Sequence, residues 1–489
     1  MAAMNATFHV IDPTGTRRFD AAEWAAQVSS LRATLLEKGV APGDRVLAWL
    51  PRGWEEAALC QAIWDLGAVW VSVPRRLAAP QVREMLADAS PTLSICGPRD
   101  RSRLGDGPWI EWPELLSSPP AGEPDHSHPD LAALCYTSGS TGRPKGVMVS
   151  HANLDGAVQR IEAYLRHTPY DRLLSLMPLS SPWGLLQWRM ALQAGAGIVL
   201  PPVVAMASEL VKTLRAAEVT GLAALPPTWV ALVDYLDSRQ ETLPGLRYIT
   251  TSGGALPRRV LDRFHAVFPH AEVWMTYGLT EAFRTTVLPA SDFDRLKGSL
   301  GKPCPGVRIE ILQPDGTSAE TDEPGELVHL GDCVTHGYWQ QPELTREVFA
   351  IRPGHEAFLG NGPVHYSGDL VRRDAEGYLW FEGRTDDLIK TGGYRTSASV
   401  IEEALLAVPG VVHAVVGGVP DEGLGQQIVA AIETESGDDG LLDAARSSLR
   451  RALASHQQPH VLRVWPEKMP LNPNGKLDRA RILDWLAHG

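Results

Sequence analysis

The sequence predicts an α/β protein in two parts. A large N-terminal domain of αβ-layered subdomains ends in a β-rich unit, and a small, mobile α+β C-terminal domain follows. Three observations carry this. Helical and strand periodicities alternate through residues 21–287, short alternating segments punctuated by Gly and Pro occupy 301–381, and the pattern changes again near Asp386. At roughly 150 residues per domain, 489 residues allow about three compact units, or two if one is large.

Residues 21–38 carry apolar side chains at helical spacing, and 45–50 read as a buried strand. Residues 54–66 are helical again and 68–73 form another apolar strand, an alternation that predicts parallel sheets covered by helices. Residues 117–129 are a polar, Pro-rich connector. A second αβ alternation runs from 154 to about 287, and 301–381 form the smaller β-rich unit. Further on, Ser399-Val-Ile-Glu402 has capping-box spacing and opens a helix that stops at Pro409-Gly410. Strands at 411–416, 428–433 and 461–465 surround a helix at 441–453. The domains are therefore expected at 1–385 and 386–489.

Composition narrows the function class. Hydrophobic residues make up 44 % and charged ones 21 %, as in an average globular chain. The 45 glycines and 38 prolines are loop-forming but too few for a disordered or fibrous protein. The net charge of −13 argues against a duplex-binding surface, so a phosphate-bearing ligand has to be held locally. The five cysteines are odd in number and widely spaced, as expected of reduced thiols in a cytoplasmic protein. No basic-then-apolar leader is evident at the N-terminus. The apolar stretch 192–207 is broken by Gly195, Gly197, Pro201 and Pro202 and is too short for a membrane span.

The run Tyr136-Thr-Ser-Gly-Ser-Thr-Gly-Arg-Pro-Lys-Gly146 lies between apolar strands at 131–135 and 147–149. Small residues let backbone N–H groups approach an anion closely. Ser138, Ser140 and Thr141 add hydroxyls and Lys145 an ammonium, a donor set suited to polyphosphate. A flexible turn is the bland alternative, but eleven such residues between two strands favour an anion site. A P-loop needs Gly-Lys-Ser/Thr, whereas Lys145 stands between Pro144 and Gly146.

With that run the chain resembles the adenylate-forming superfamily of acyl-CoA synthetases, peptide-synthetase adenylation domains and luciferases. Ser252-Gly-Gly-Ala255, Thr276-Tyr-Gly-Leu-Thr-Glu-Ala282, Tyr366-Ser-Gly-Asp-Leu370, Gly383-Arg-Thr-Asp386, Lys390-Thr-Gly-Gly-Tyr-Arg395 and Asn474-Gly-Lys476 follow in the family's order. The resemblance implies that Thr137 joins the phosphate-binding run. It assigns adenine to Gly253, Gly254, Ala255, Thr276, Tyr277 and Gly278, with the Tyr277 ring as the stacking face. Thr280 then contacts the α-phosphate and Glu281 holds Mg²⁺. Asp369 accepts from the ribose hydroxyls, Arg384 completes that contact, and Asp386 is the hinge.

The implied reaction has two halves. A carboxylate attacks the α-phosphorus of ATP to give an acyl-adenylate and pyrophosphate, and a thiol then displaces AMP. The resemblance assigns Lys476 to the first half and Gly393, with Lys390, to the second. Lys476 and Gly393 lie 83 positions apart, so the family's solution is rotation of the small domain.

The acyl region departs from the family. In Met177-Pro-Leu-Ser-Ser-Pro-Trp-Gly184, Ser180 and Ser181 stand where many relatives carry His or an aromatic residue. A bulky, hydrophobic acid is therefore expected, with Ser180, Ser181, Trp183 and Gly184 at its pocket. Leu185, Trp188 and Trp229 are lining candidates that fit plain core better. Amino-acid-activating relatives place an Asp in this region to pair the α-ammonium, and residues 173–189 contain none, so a non-amino acid is expected. The chain ends thirteen residues after Lys476, which points to a free-standing ligase using CoA. The alternatives are loading of a carrier protein or retention of a single half-reaction. His126-Ser-His128, in the exposed connector, reads as a solvated turn rather than a metal pair.

Overall fold

The computed structural model describes the chain apart from residues 1–7, 12–17, 76, 78, 99, 102–108, 113–114, 116–129, 139–143, 202–205, 360–361, 386, 392–393, 422, 435–440, 473–475 and 489. At 138, 357–358, 388, 390 and 394–395 it describes the backbone alone. The 117–129 connector, with His126 and His128, lies outside the described residues.

Two large sheets form the N-terminal layers. The first orders Trp109–Glu111, Leu93–Cys96, Arg45–Trp49, Val69–Ser72, Leu131–Ser138 and Pro144–Ser150, parallel until the last pair closes an antiparallel hairpin. The second centres on four parallel neighbours, Arg172–Ser175, Gly221–Ala224, Tyr248–Thr251 and Glu272–Tyr277. These strands read as unbroken apolar runs because helices cover both faces; Val46, Leu47, Ala48 and Trp49 are all buried. Helix Ala21–Glu37 is started by Asp20, whose carboxylate accepts the Glu23 N–H at 2.9 Å. It buries Trp24 against Trp188 of helix Pro182–Ala194, tying the sheets into one core.

The β-rich unit is an antiparallel sheet of Arg308–Leu312, Gly325–Leu330, Val364–Arg373 and Leu379–Arg384. The final part has its own sheet, built on the long hairpin Val411–Asp421 and Gly425–Thr434, and its own core around Ile401, Leu405, Ile428 and Leu449. Its first helix starts differently from the expectation. The helix is Ala398–Leu406 and follows Ser397, while the Ser399 hydroxyl meets Ser397 Oγ at 2.7 Å and the Glu382 carbonyl at 3.3 Å. Glu402 instead accepts from the Val416 N–H at 2.7 Å and from Arg479 at 2.6 Å. Two donors from distant elements, one of them charged, outcompete a local cap.

The imidazoles of His329 and His365 stack within the β-rich sheet at 6.1 Å, and Tyr277 continues the stack 6.0 Å from His329. Burial pushes His329 down to about 3 and His365 well below its ordinary value. The unfolded chain thus binds protons between about pH 6.5 and 3 that the fold refuses, so stability falls as pH drops through that window. The slope contributed reaches about 1.4 kcal/mol per pH unit per imidazole. Thermal melting between pH 7 and 4.5 should show a shallower acid loss in His329→Leu, and an unchanged slope would contradict this account.

All five cysteines are buried, and no disulfide joins them among the described residues. Among the described residues no helix is long and apolar enough to cross a membrane.

Candidate active site

Strands Tyr248–Thr251 and Glu272–Tyr277 are parallel neighbours, so the loops after them open at one sheet edge, where α/β folds seat ligands. The first leads into Ser252, Gly253, Gly254 and Ala255, and the second ends at Thr276 and Tyr277 before the turn through Glu281. That turn needs glycine at 278. A Cβ there would stand 2.6 Å from the Arg284 nitrogen and 3.1 Å from the Ala282 oxygen.

Val364–Arg373 brings Asp369, paired in register with Arg384. Arg384 Nη1 donates to Asp369 Oδ1 at 2.6 Å, the Tyr277 phenol donates to Oδ2, and Asp369 is only 3 % exposed. Burial, then the Asp369 charge, hold the phenol of Tyr277 well above its ordinary value. The ring expected to face adenine is thus already oriented from its hydroxyl end.

Glu281 is half-buried and accepts from the Tyr338 hydroxyl at 3.0 Å, while Lys145 Nζ stands 5.6 Å from the centre of the Tyr338 ring. Burial raises the Glu281 carboxyl; its own backbone N–H, Tyr338, Lys145 and Arg384 pull it back. Tyr338 escaped the sequence reading. Its segment is stitched to the phosphate-type hairpin, with Trp339 N–H donating to the Gly146 carbonyl at 2.7 Å and Met148 N–H to that of Gly337 at 2.9 Å. The available signal was an aromatic pair directly after a glycine, Gly337-Tyr-Trp339. In that hairpin Thr137 pairs with Lys145 and Ser138 with Pro144, so the strands extend into the small-residue run.

Lys476 reaches this cleft from the C-terminal part. Its Cε lies 3.8 Å from where a Cβ on Gly253 would be. Asn472 shapes the loop: its side chain accepts the Lys476 N–H at 3.0 Å, and its own N–H donates to the Lys476 carbonyl at 2.6 Å. The residue keeps contact with solvent, but protein crowds the ammonium. That desolvation lowers its proton affinity, against the pull of Asp369 and Glu281.

One cleft thus gathers Lys145, Gly253, Tyr277, Glu281, Asp369, Arg384 and Lys476, with Gly254, Ala255, Thr276, Gly278 and Thr280 on the loops between them. Ser140, Thr141, Asp386 and Gly393 lie outside the described residues. Of Ser138 and Lys390 the backbone alone is described, Lys390 pairing with Arg395 in the hairpin Leu388–Thr391/Tyr394–Ser397.

The acyl segment divides into helix-starting, packing and candidate lining roles. Ser181 starts helix Pro182–Ala194: its hydroxyl accepts the Gly184 N–H at 3.3 Å and donates to the Pro178 carbonyl at 3.0 Å. Gly184 permits close packing, since a Cβ would meet the Pro178 oxygen at 2.1 Å. Trp188 and Trp229 are 0 % exposed core, and Leu185 is fully buried in the same core as Trp188. Ser180 and Trp183 remain as candidate lining, with the Arg284 guanidinium 4.9 Å above the Trp183 ring.

A hard cation is compatible with this donor set. Glu281 offers carboxylate oxygen beside Lys145, and its one side-chain donor is a neutral phenol, as suits a Mg²⁺ shared with substrate phosphates.

Residues 3–339 match the AMP-binding enzyme family and residues 400–476 the AMP-binding enzyme C-terminal domain. The sulfoacetate–CoA ligase of Cupriavidus necator is 30 % identical over 484 residues, covering 94 % of this chain and 91 % of that protein. The L-proline–[L-prolyl-carrier protein] ligase of Streptomyces coelicolor is 28 % identical over 496 residues, with 94 % and 91 % covered. Among solved structures, ATP-bound MatB from Rhodopseudomonas palustris is similar with a TM-score of 0.87 at 25 % identity, covering 99 % of this chain and 96 % of that one.

Proposed function

Since the chain belongs to the AMP-binding enzyme family of adenylate-forming ligases, we propose that it joins a carboxylic acid to ATP as an acyl-adenylate and then transfers the acyl group to CoA. The observation that carries this reading is the position of Lys476, delivered from the C-terminal part to the side of Gly253 and within the field of Asp369 and Glu281.

In the first half, the acid's carboxylate oxygen bonds to the α-phosphorus as the bond to pyrophosphate breaks. Negative charge gathers between the two anions, and the Lys476 ammonium answers it from a desolvated position where it acts strongly. Asp369 and Arg384 hold the ribose, Tyr277 backs the adenine, and Lys145 faces the leaving phosphates. Glu281 would hold Mg²⁺, which when bound would supply positive charge against the triphosphate.

In the second half, residues 386–489 swing on residues 1–385 about Asp386, withdrawing Lys476 and presenting the loop of Lys390 and Gly393 to the pantetheine arm. We take the acid to be non-amino with a bulky apolar body: Ser180 and Trp183 line its entry, and residues 173–189 offer no Asp for an ammonium. Five buried cysteines outside any disulfide suit a reducing compartment, so we place the reaction in the cytoplasm.

Acid-dependent exchange of labelled pyrophosphate into ATP tests the first half. Gly393→Leu should leave that exchange within about threefold of wild type while thioester formation falls at least ~10²-fold. Equal loss of both would count against a rotating domain. Likeness to a carrier-protein ligase favours a second reading, a carrier-bound thiol as acceptor, and direct comparison of CoA with a carrier protein separates the two.

A further inference from the structure

Arg284 has contacts unlike those of the other buried arginines. It is 7 % exposed and sits at φ +57°, a left-handed backbone that side-chain-bearing residues adopt sparingly and that clusters at functional sites. Its Nη1 donates to Thr276 Oγ1 at 2.5 Å and its guanidinium lies 4.9 Å from the Trp183 ring centre. Among the described residues no carboxylate pairs with it, and its electrostatic neighbours are the neutral phenols of Tyr164 and Tyr248 and the Cys304 thiol. By contrast, Arg189 meets Asp155 at 2.6 Å, and Arg52 lies in the field of Glu56.

A buried guanidinium without a counter-ion is unfavourable by several kcal/mol unless something else supplies the charge. The surroundings are arranged for a ligand. The Trp183 ring lies 4.9 Å from the guanidinium and Nη1 is engaged by Thr276, which leaves the Nε–Nη2 edge for a two-pronged contact. The Trp183 indole N–H and the Thr251 hydroxyl are buried without partners among the described residues, and the Thr251 carbonyl accepts from Thr276. Asp369 and Glu281 act on Lys476, whereas none of these three is among the electrostatic neighbours of Arg284, whose own hydrogen bond goes to Thr276. Its ring neighbour Trp183 belongs to the segment read as acyl lining, which puts the guanidinium on that side of the cleft.

We propose that Arg284 is a specificity-determining residue that binds a second anionic group, a carboxylate or sulfonate, at the far end of the acid being activated. This deepens the reading of the chain as an acid-activating ligase and rests on it. The acid then has an apolar body against Trp183, its reacting carboxylate at Lys476 and its other anion on the Arg284 fork. The same positive charge repels an ammonium, consistent with a non-amino acid.

The test is pyrophosphate exchange over straight-chain and aromatic dicarboxylates and sulfocarboxylates, each matched to the monocarboxylate that carries a methyl at the far end. Wild type should favour the doubly anionic acids by about 10²-fold in kcat/KM, and Arg284→Met should abolish that preference while leaving the monocarboxylates within about threefold. A residue kept for its ligand rather than for the fold should also melt no lower as Arg284→Met. Should that variant not fold, Arg284→Lys keeps the cation without the fork, and the preference should narrow about tenfold. Wild-type preference for the monocarboxylates, equal losses for both classes in Arg284→Met, or an unaltered preference in Arg284→Lys would overturn the proposal while acid activation stood. Exchange with no acid of either class would overturn acid activation itself.

Discussion

Lys476→Ala is expected to lower acid-dependent pyrophosphate exchange by about 10²–10³-fold, the usual effect of deleting one positioned charge at a transition state, about 3–4 kcal/mol. The ammonium stands beside Gly253, and the acids attracting it, Asp369 and Glu281, belong to the opposite wall of the cleft. On the proposed reading it acts where the two anions meet, in the first half of the reaction. Thioester formation from pre-made acyl-adenylate should stay within about threefold of wild type, because that half uses a different loop. The ammonium's lowered proton affinity adds a pH signature. Wild-type exchange should decline on an alkaline limb centred below the ordinary lysine value of 10.5, since desolvation favours the neutral amine. Exchange unaffected by the alanine variant would remove Lys476 from the chemistry.

Asp369→Asn should impair both halves alike. The carboxylate is 3 % exposed and engaged by Arg384 and Tyr277, so the amide loses charge opposite the guanidinium and also the paired acceptors that ribose hydroxyls need. Two charge-assisted hydrogen bonds at about 1.5–2 kcal/mol each correspond to ~10²–10³ in kcat/KM for ATP. The nucleotide's ribose persists in the adenylate, so thiolysis of pre-made adenylate should weaken by a similar factor. A variant damaged only in the first half would show that Asp369 serves the phosphates instead. Set beside Lys476→Ala, the pair separates holding the nucleotide from charge stabilisation.

Sequence periodicity located the layers well because burial on both faces leaves unbroken apolar runs, as in Arg45–Trp49 and Val69–Ser72. The small residues flanking Lys145 and the loops around Gly253 and Gly278 were legible because close backbone approach restricts residue type. What stayed hidden depends on partners far along the chain. Tyr338 matters through Glu281, 57 positions away, and nothing local marks that meeting. Ser181 also starts a helix through its hydroxyl, a geometry that composition does not encode. Glu402 had capping-box spacing, yet Arg479, 77 positions on, holds its carboxylate. Arg284 is the sharpest case, because its proposed role rests on having no carboxylate partner among the described residues, which only the assembled surroundings reveal.

Before any ribose arrives, Asp369 already has a phenol and a guanidinium on its two oxygens. Each carboxylate oxygen has two acceptor positions, so the ribose hydroxyls proposed to bind there can join these donors rather than displace them. The acceptors are held still before the nucleotide enters, and little side-chain freedom is left to lose on binding. Tyr277→Phe, lacking the resident donor, is expected to bind AMP more weakly.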